Sequence, residues 1–228
     1  MYMYHYGIEY ILIGISILIT LGAQFFINSK YKKTKKLAVK KDITGYEVAR
    51  KILDKHDLKK IDVVETGGIL SDHYDSSKKI VRLSPDIYSK ATIASVSVAA
   101  HECGHAIQDK KNYIFLRLRN TIIPLVNISS KLGYIAILIG LFSRATGFLK
   151  IGIIFELVIL LFQLITLPVE FNASRRGLNE LKELDIVDDN ELKQSKGMLK
   201  AAALTYVASV ATSLLEIFRL LMILNRRR

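Results

Sequence analysis

The sequence predicts a mostly α-helical integral membrane protein, with three or four membrane helices and a small α+β unit. Three observations lead there. Half of the 228 residues are hydrophobic, and they are clustered rather than spread. Apolar segments of roughly 20 residues, the length a bilayer span needs, recur along the chain. Between the first two lies a polar stretch that mixes strand-like alternation with helical spacing and contains His101-Glu102-Cys103-Gly104-His105.

The first apolar segment, residues 8–28, carries a single charge, Glu9. Met1 to Gly7 lacks Lys and Arg, and no small-residue cleavage site follows the apolar run, so it reads as an anchor rather than a cleaved leader. Residues 29–41 are a basic juxtamembrane linker holding Lys30, Lys32, Lys33, Lys35, Lys36, Lys40 and Lys41. Such a cluster marks the cytosolic side and is attracted to anionic headgroups. The net charge of +12 is therefore assigned to the membrane surface and not to nucleic acid, since no pattern of stacking aromatics accompanies it.

Residues 42–118 read as a cytosolic α+β unit. Thr44, with Glu47 three residues on, opens an amphipathic helix over 45–57 in which Val48, Ile52 and Leu53 share a face. Ile61 to Glu65 and Lys79 to Leu83 are strand candidates, separated by Gly67-Gly68 and a turn-rich run from Asp72 to Ser77. A further helix is expected over 91–109, entered through an uncharged run of small and apolar residues. Residues 121–142 and 148–168 follow as a membrane hairpin around Ser143 to Gly147. Two crossings return residues 169–197, a charged helical stretch, to the side of His101. Residues 199–224 form an apolar helix that either spans the membrane or packs on the core, and a complete fourth crossing would put Arg226-Arg227-Arg228 outside, against the positive-inside bias. Lys131, Glu156, Glu216 and Arg219 lie within apolar segments and are expected to pair between helices, Lys131 with Glu156 among them.

The chemistry concentrates at the pentapeptide. On a helix, residues four apart share a face, so both imidazoles can reach one Zn²⁺. Glu102 then sits where a general base must be. A catalytic zinc takes three protein ligands and keeps one open position. Cys103, the only cysteine, points elsewhere on the helix and reads as a small buried hydrophobe. His5 falls on the opposite side of the membrane, and His56 sits among charges on a surface helix. His73 and the acidic residues remain as third ligands. Glu170 stands out among them, because it is the first charge after the third apolar segment, and a carboxylate there is costly unless paired or metal-bound.

Several longer motifs accompany the pentapeptide: Leu70-Ser71-Asp72-His73-Tyr74-Asp75, Val81-Arg82-Leu83-Ser84, Ala99 to Gln108, Leu167 to Arg176 and Ala201 to Ala208. Together they resemble the neutral zinc metallopeptidases of bacterial membranes, the YugP-like proteins. The resemblance covers nearly the whole chain. More distantly the chain is similar to gluzincins such as the HtpX heat-shock and CAAX prenyl endopeptidases, where a transmembrane hairpin also separates the two halves of the site. The resemblance implies one Zn²⁺ per chain, held by His101, His105 and Glu170, with Glu102 as the catalytic base. It implies hydrolysis of peptide bonds by a metal-activated water, in the cytoplasm-facing part of a multi-pass protein of the bacterial plasma membrane. Gluzincins often carry an Asp four residues after the ligand Glu; here that position is Ser174, so Asn172, Ser174 or Asp109 must steady the imidazoles. His73, Tyr74, Arg175 and Tyr206 are candidate oxyanion or substrate contacts, and the strand around Val81 is a candidate partner for an extended polypeptide substrate. The alternative function is a zinc-binding membrane scaffold without turnover.

Overall fold

A computed structural model describes residues 2–227 and, in its side chains, residues 7–227. The side chain of His5, and Arg228, lie outside the described residues. Among the described residues, seven helices and three short strands follow one another: α1 (Tyr2–Thr34), α2 (Gly45–Lys55), β1 (Asp62–Glu65), β2 (His73–Asp75), β3 (Ile80–Leu83), α3 (Pro85–Ser89), α4 (Ile93–Lys110), α5 (Ile114–Phe142), α6 (Thr146–Glu183) and α7 (Asp189–Arg226). The chain divides into two compact units. One holds Met1–Gln24, Leu118–Leu167 and Leu204–Arg228; the other holds Phe25–Arg117 and Pro168–Ala203.

The second unit contains the polar chemistry. Its sheet has the order β1-β3-β2, with β1 parallel and β2 antiparallel to β3. The strand around Val81 is thus central, with both edges occupied, and cannot pair with a substrate. One edge is β2, where the sequence predicts only a turn. Three residues flanked by Ser and Asp carry too little periodicity to announce a strand. Asp75 closes the turn behind it by accepting from Ser77 N and Lys78 N, both at 3.0 Å. Asp72 ties two of the long motifs together, accepting from Ser84 N at 2.6 Å and Ser84 Oγ at 3.2 Å.

Helix α2 begins as the spacing predicts, with a full capping box between Thr44 and Glu47. Its fully buried face, Val48, Ala49, Ile52 and Leu53, packs on α4. The latter also touches β2 and β3. Small residues make α4 nearly all buried, because Ala94, Ala99, Ala100 and Ala106 let neighbours approach from every side.

The linker is less loose than its composition suggests. Helix α1 runs to Thr34, and Val39 N and Ile93 N donate to Ala91 O and Leu37 O at 3.1 and 2.8 Å. Lys35 pairs with Asp86, Lys40 with Asp188 at 2.6 Å and Lys41 with Asp185 at 2.5 Å. Lys32, Lys33 and Lys36 stay exposed.

Two expected boundaries are displaced. Helix α6 continues through Pro168 without a break, so residues 148–168 and 169–183 are one element. It stops at Glu183, inside the stretch expected to be helical to 197, and α7 starts at Asp189. Asp188 and Glu191 cap that start reciprocally: Glu191 N donates to Asp188 Oδ1 at 2.8 Å and Asp188 N to Glu191 Oε2 at 2.9 Å.

Among the described residues, four helices are long and apolar enough to cross a membrane, within Gly7–Thr34, Ile114–Phe142, Thr146–Glu183 and Asp189–Arg226. In the first unit, Leu149, Ile153, Leu220 and Ile223 are buried together. Glu156 lies near Ser213 and makes no ion pair with Lys131, which is exposed. Glu216 and Arg219 pair with each other along α7 at 2.5 Å. The C-terminal arginines are committed locally: Arg226 binds Glu9 at 2.7 Å, and Arg227 donates to Gly140 O and Leu141 O at 2.6 and 3.1 Å. These bonds gather the N-terminal part of α1, the end of α5 and the end of α7 at one end of this unit.

Candidate active site

Helix α4 presents His101 and His105 one turn apart, their rings edge to face with centroids 4.8 Å apart. Helix α6 brings Glu170, 5% exposed, against both: Oε2 lies 3.3 Å from His101 Nε2 and 3.7 Å from His105 Nε2. All three groups can offer ligand atoms within 4.8 Å of one another, and they are the one such cluster found among the described residues. The donor set fits zinc. Bonds of about 2.0–2.2 Å in tetrahedral geometry separate two ligand atoms by roughly 3.3–3.6 Å, close to both measured separations. Burial opposes ionisation of Glu170, but the two imidazoles hold its carboxyl far below the usual carboxylate range. The pocket is therefore poised around an anion facing two ring nitrogens, the electrostatic complement of a cation.

Each imidazole is steadied through its other nitrogen, which leaves Nε2 directed at the cluster. His101 Nδ1 lies 3.1 Å from Ser174 Oγ, so the residue standing where gluzincins often have Asp fills that place with a neutral acceptor. His105 Nδ1 lies 3.0 Å from Oε1 of Gln108, which is fully buried. Gln108 Nε2 donates onward to Val169 O at 2.8 Å and to Asn172 Oδ1 at 3.1 Å. Asn172 also accepts from Arg176 Nε at 2.7 Å. Asn172 thus acts at one remove, through Gln108. Asp109 takes no part, since it accepts from Tyr74 Oη at 2.7 Å and pairs with Lys79.

Gln108 is the residue the sequence reading missed. The signal was available: it lies three residues after His105, on the same helix face. Gln108→Leu should weaken zinc binding about 10–100-fold, the usual cost of losing an outer-shell partner. Competition against a chelator of known affinity measures this, and an unchanged zinc affinity would remove Gln108 from the site.

Glu102 stands beside the cluster, 7% exposed. Burial pushes its carboxyl up to about 7; His101 works against this, while the charges of Glu170 and Asp72 add to it. The carboxylate lies beside the backbone N–H of Tyr74, on edge strand β2. An acid of this strength can both take and return a proton near neutral pH.

The other candidates disperse. The Tyr74 hydroxyl is held by Asp109 and is no oxyanion donor as it stands; its backbone is what reaches the site. His73 is exposed, with Nδ1 2.7 Å from Ser71 O. Arg175 is exposed on α6, one residue past Ser174. Tyr206 belongs to the other unit of the chain. His56, expected at the surface, is instead partly buried, with Nε2 2.7 Å from Glu180 Oε1, and it braces α2 against α6.

The family described as "Putative neutral zinc metallopeptidase" matches residues 9–225. A Bacillus subtilis protein named "Putative membrane protease YugP" is 40% identical over 210 residues, covering 92% of this chain and 93% of its own. No solved structure matches the chain. A family match across nearly the full length, with a relative of this identity and coverage, shows that the chain belongs to the putative neutral zinc metallopeptidase family.

Proposed function

We propose that this protein is a membrane-embedded zinc endopeptidase that cuts polypeptides on the cytosolic side of the bacterial plasma membrane. The observation that carries the reading is the convergence of His101, His105 and Glu170 at ligand spacing, with Glu102 beside them and outside the ligand set. One zinc bound there would acidify water and polarise the scissile carbonyl. Glu102 removes a proton from the attacking water and returns it to the leaving amine, which its raised carboxyl pKa supports. Ser174 and Gln108 keep both Nε2 atoms aimed while the proton moves. The edge strand β2, beside Glu102, offers an extended substrate a backbone to pair with. Exposed Lys32, Lys33 and Lys36 face anionic headgroups on the same side of the bilayer.

The test is proteolysis by the full chain in lipid nanodiscs, with fluorescent unfolded casein as substrate. Cleavage should stop with a zinc chelator and return with added zinc. Glu102→Gln should be slower by about 10²–10⁴-fold, the span of general acid–base catalysis. A zinc-loaded wild type that cuts no member of a substrate panel, with Glu102→Gln indistinguishable from it, would instead support the zinc-binding scaffold.

A further inference from the structure

Helices α6 and α7 leave a groove of about 390 Å³ between them. Its walls follow helical spacing on both sides. Phe171, Ser174, Leu178 and Lys182 come from one face of α6, and Leu192, Lys196, Leu199 and Ala203 from one face of α7. The floor is apolar: Leu199 and Ala203 are buried, and Leu178 and Leu192 are half-buried. The rim is cationic. Arg175, Lys182, Lys196 and Lys200 all line the groove and are exposed, and no acidic residue lines it.

That charge is segregated, not merely abundant. Four acids of the same two helices and of the turn between them are engaged elsewhere. Glu180 and Glu183 hold Lys55 at 2.8 and 2.6 Å, Asp185 holds Lys41 at 2.5 Å, and Asp188 holds Lys40 at 2.6 Å. Among the described residues, none of the four rim cations has a carboxylate within ion-pair distance. The groove also reaches the site. Ser174, one of its lining residues, is the partner of His101 Nδ1, and Phe171 follows Glu170.

We infer that this groove is a substrate-docking channel for polypeptide segments that combine acidic and apolar side chains. Phe171 and Lys182 are eleven residues apart, or about 16 Å along a helix, which is about five residues of extended chain. An apolar floor with cations strung over that length suits a peptide carrying several carboxylates. A single lipid headgroup would meet only part of it. The inference deepens the peptidase reading and rests on it for the word substrate, but the binding itself does not depend on zinc.

The test is fluorescence anisotropy with two labelled peptides, one alternating Leu and Glu and the other Leu and Lys. The protein is the full chain carrying Glu102→Gln, in nanodiscs of zwitterionic lipid, so that nothing is cut and the bilayer adds no charge. The Leu/Glu peptide should bind, and more weakly as salt rises. Lys196→Glu with Lys200→Glu should weaken it at least about tenfold, and Lys196→Gln with Lys200→Gln by less. Metal-free Glu170→Ala protein should bind it unchanged, which separates this idea from the peptidase assignment. Equal binding of the two peptides, or indifference to both double substitutions, overturns the proposal. So does a charge reversal that abolishes capture by phosphatidylglycerol vesicles while leaving peptide affinity intact, because the groove would then be a membrane surface.

Discussion

Purified Glu170→Ala protein should contain no zinc, while Glu102→Gln should keep about one per chain. Glu170 has both imidazoles within 3.7 Å and is almost fully buried, so its removal deletes one of three ligands and the only negative charge among them. The loss of affinity should exceed the roughly 10–100-fold that follows from losing an outer-shell partner. Glu102 lies outside the cluster, so an amide in its place leaves the donor set whole. His73→Ala supplies the control, because His73 was the rival third ligand and its ring is held instead at Ser71. Elemental mass spectrometry on the three variants decides the matter. Full zinc in Glu170→Ala, with loss in His73→Ala, would reverse the ligand assignment.

The second large effect comes from two glycines with no chemistry of their own. A Cβ on Gly104 of α4 would lie 2.4 Å from Ala173 O, and one on Gly177 of α6 would lie 2.6 Å from Ala100 O. The two helices therefore meet backbone to backbone at two points next to the ligands, one on each side of His101 along α4. His101 follows Ala100, and its N would be 3.0 Å from the added carbon. In an open helix, Gly→Ala stabilises by about 1 kcal/mol. Here the sign should reverse. The neighbours are backbone atoms that cannot swing aside, and overpacking of this kind costs about 1–3 kcal/mol. Forcing the helices apart by even about 0.5 Å also exceeds the ±0.2 Å within which zinc bond lengths normally hold. Gly177→Ala should thus lower both the melting temperature and the zinc affinity. Gly197→Ala, with nothing within 4 Å of its added carbon, should be neutral or stabilising. If Gly177→Ala melted like Gly197→Ala, the close approach of the two helices would be wrong.

How legible this was depends on range. The helix holding both histidines was readable because its signals are local: a fixed spacing and a small apolar run leading into it. Glu170 was legible as an anomaly, a charge at the end of an apolar segment, and its role as a ligand came from resemblance. Its meeting with α4 depends on contact between helices 65 or more positions apart, which no local pattern records. The same limit left Asn172, Ser174 and Asp109 undistinguished, because the choice among them depends on which faces His101 across the two helices; Gln108, by contrast, lay within local reach of His105. Pro168 misled because proline disfavours helix interiors, yet the residues around it are apolar and helix-competent, and the segment after it is held against α4. The break before α7 was available in Asp188 and Glu191, a spacing that matches a capping box. The fate of Lys35, Lys40 and Lys41 was not, because their acidic partners lie far along the chain.

Cys103 has a practical consequence. It is the only cysteine, has no exposed surface, and its Sγ faces Ala49 O at 3.6 Å. Burial, with the Glu102 charge next, pushes its thiol far above the ordinary range, so it is neither accessible nor ionised for alkylation. The natural chain is in effect a reporter with a silent background. A single cysteine placed at Ser143 in the hairpin turn, or at Ser77 behind β2, would be the sole reactive thiol, and an impermeant maleimide applied to intact cells would read from it which compartment each turn faces.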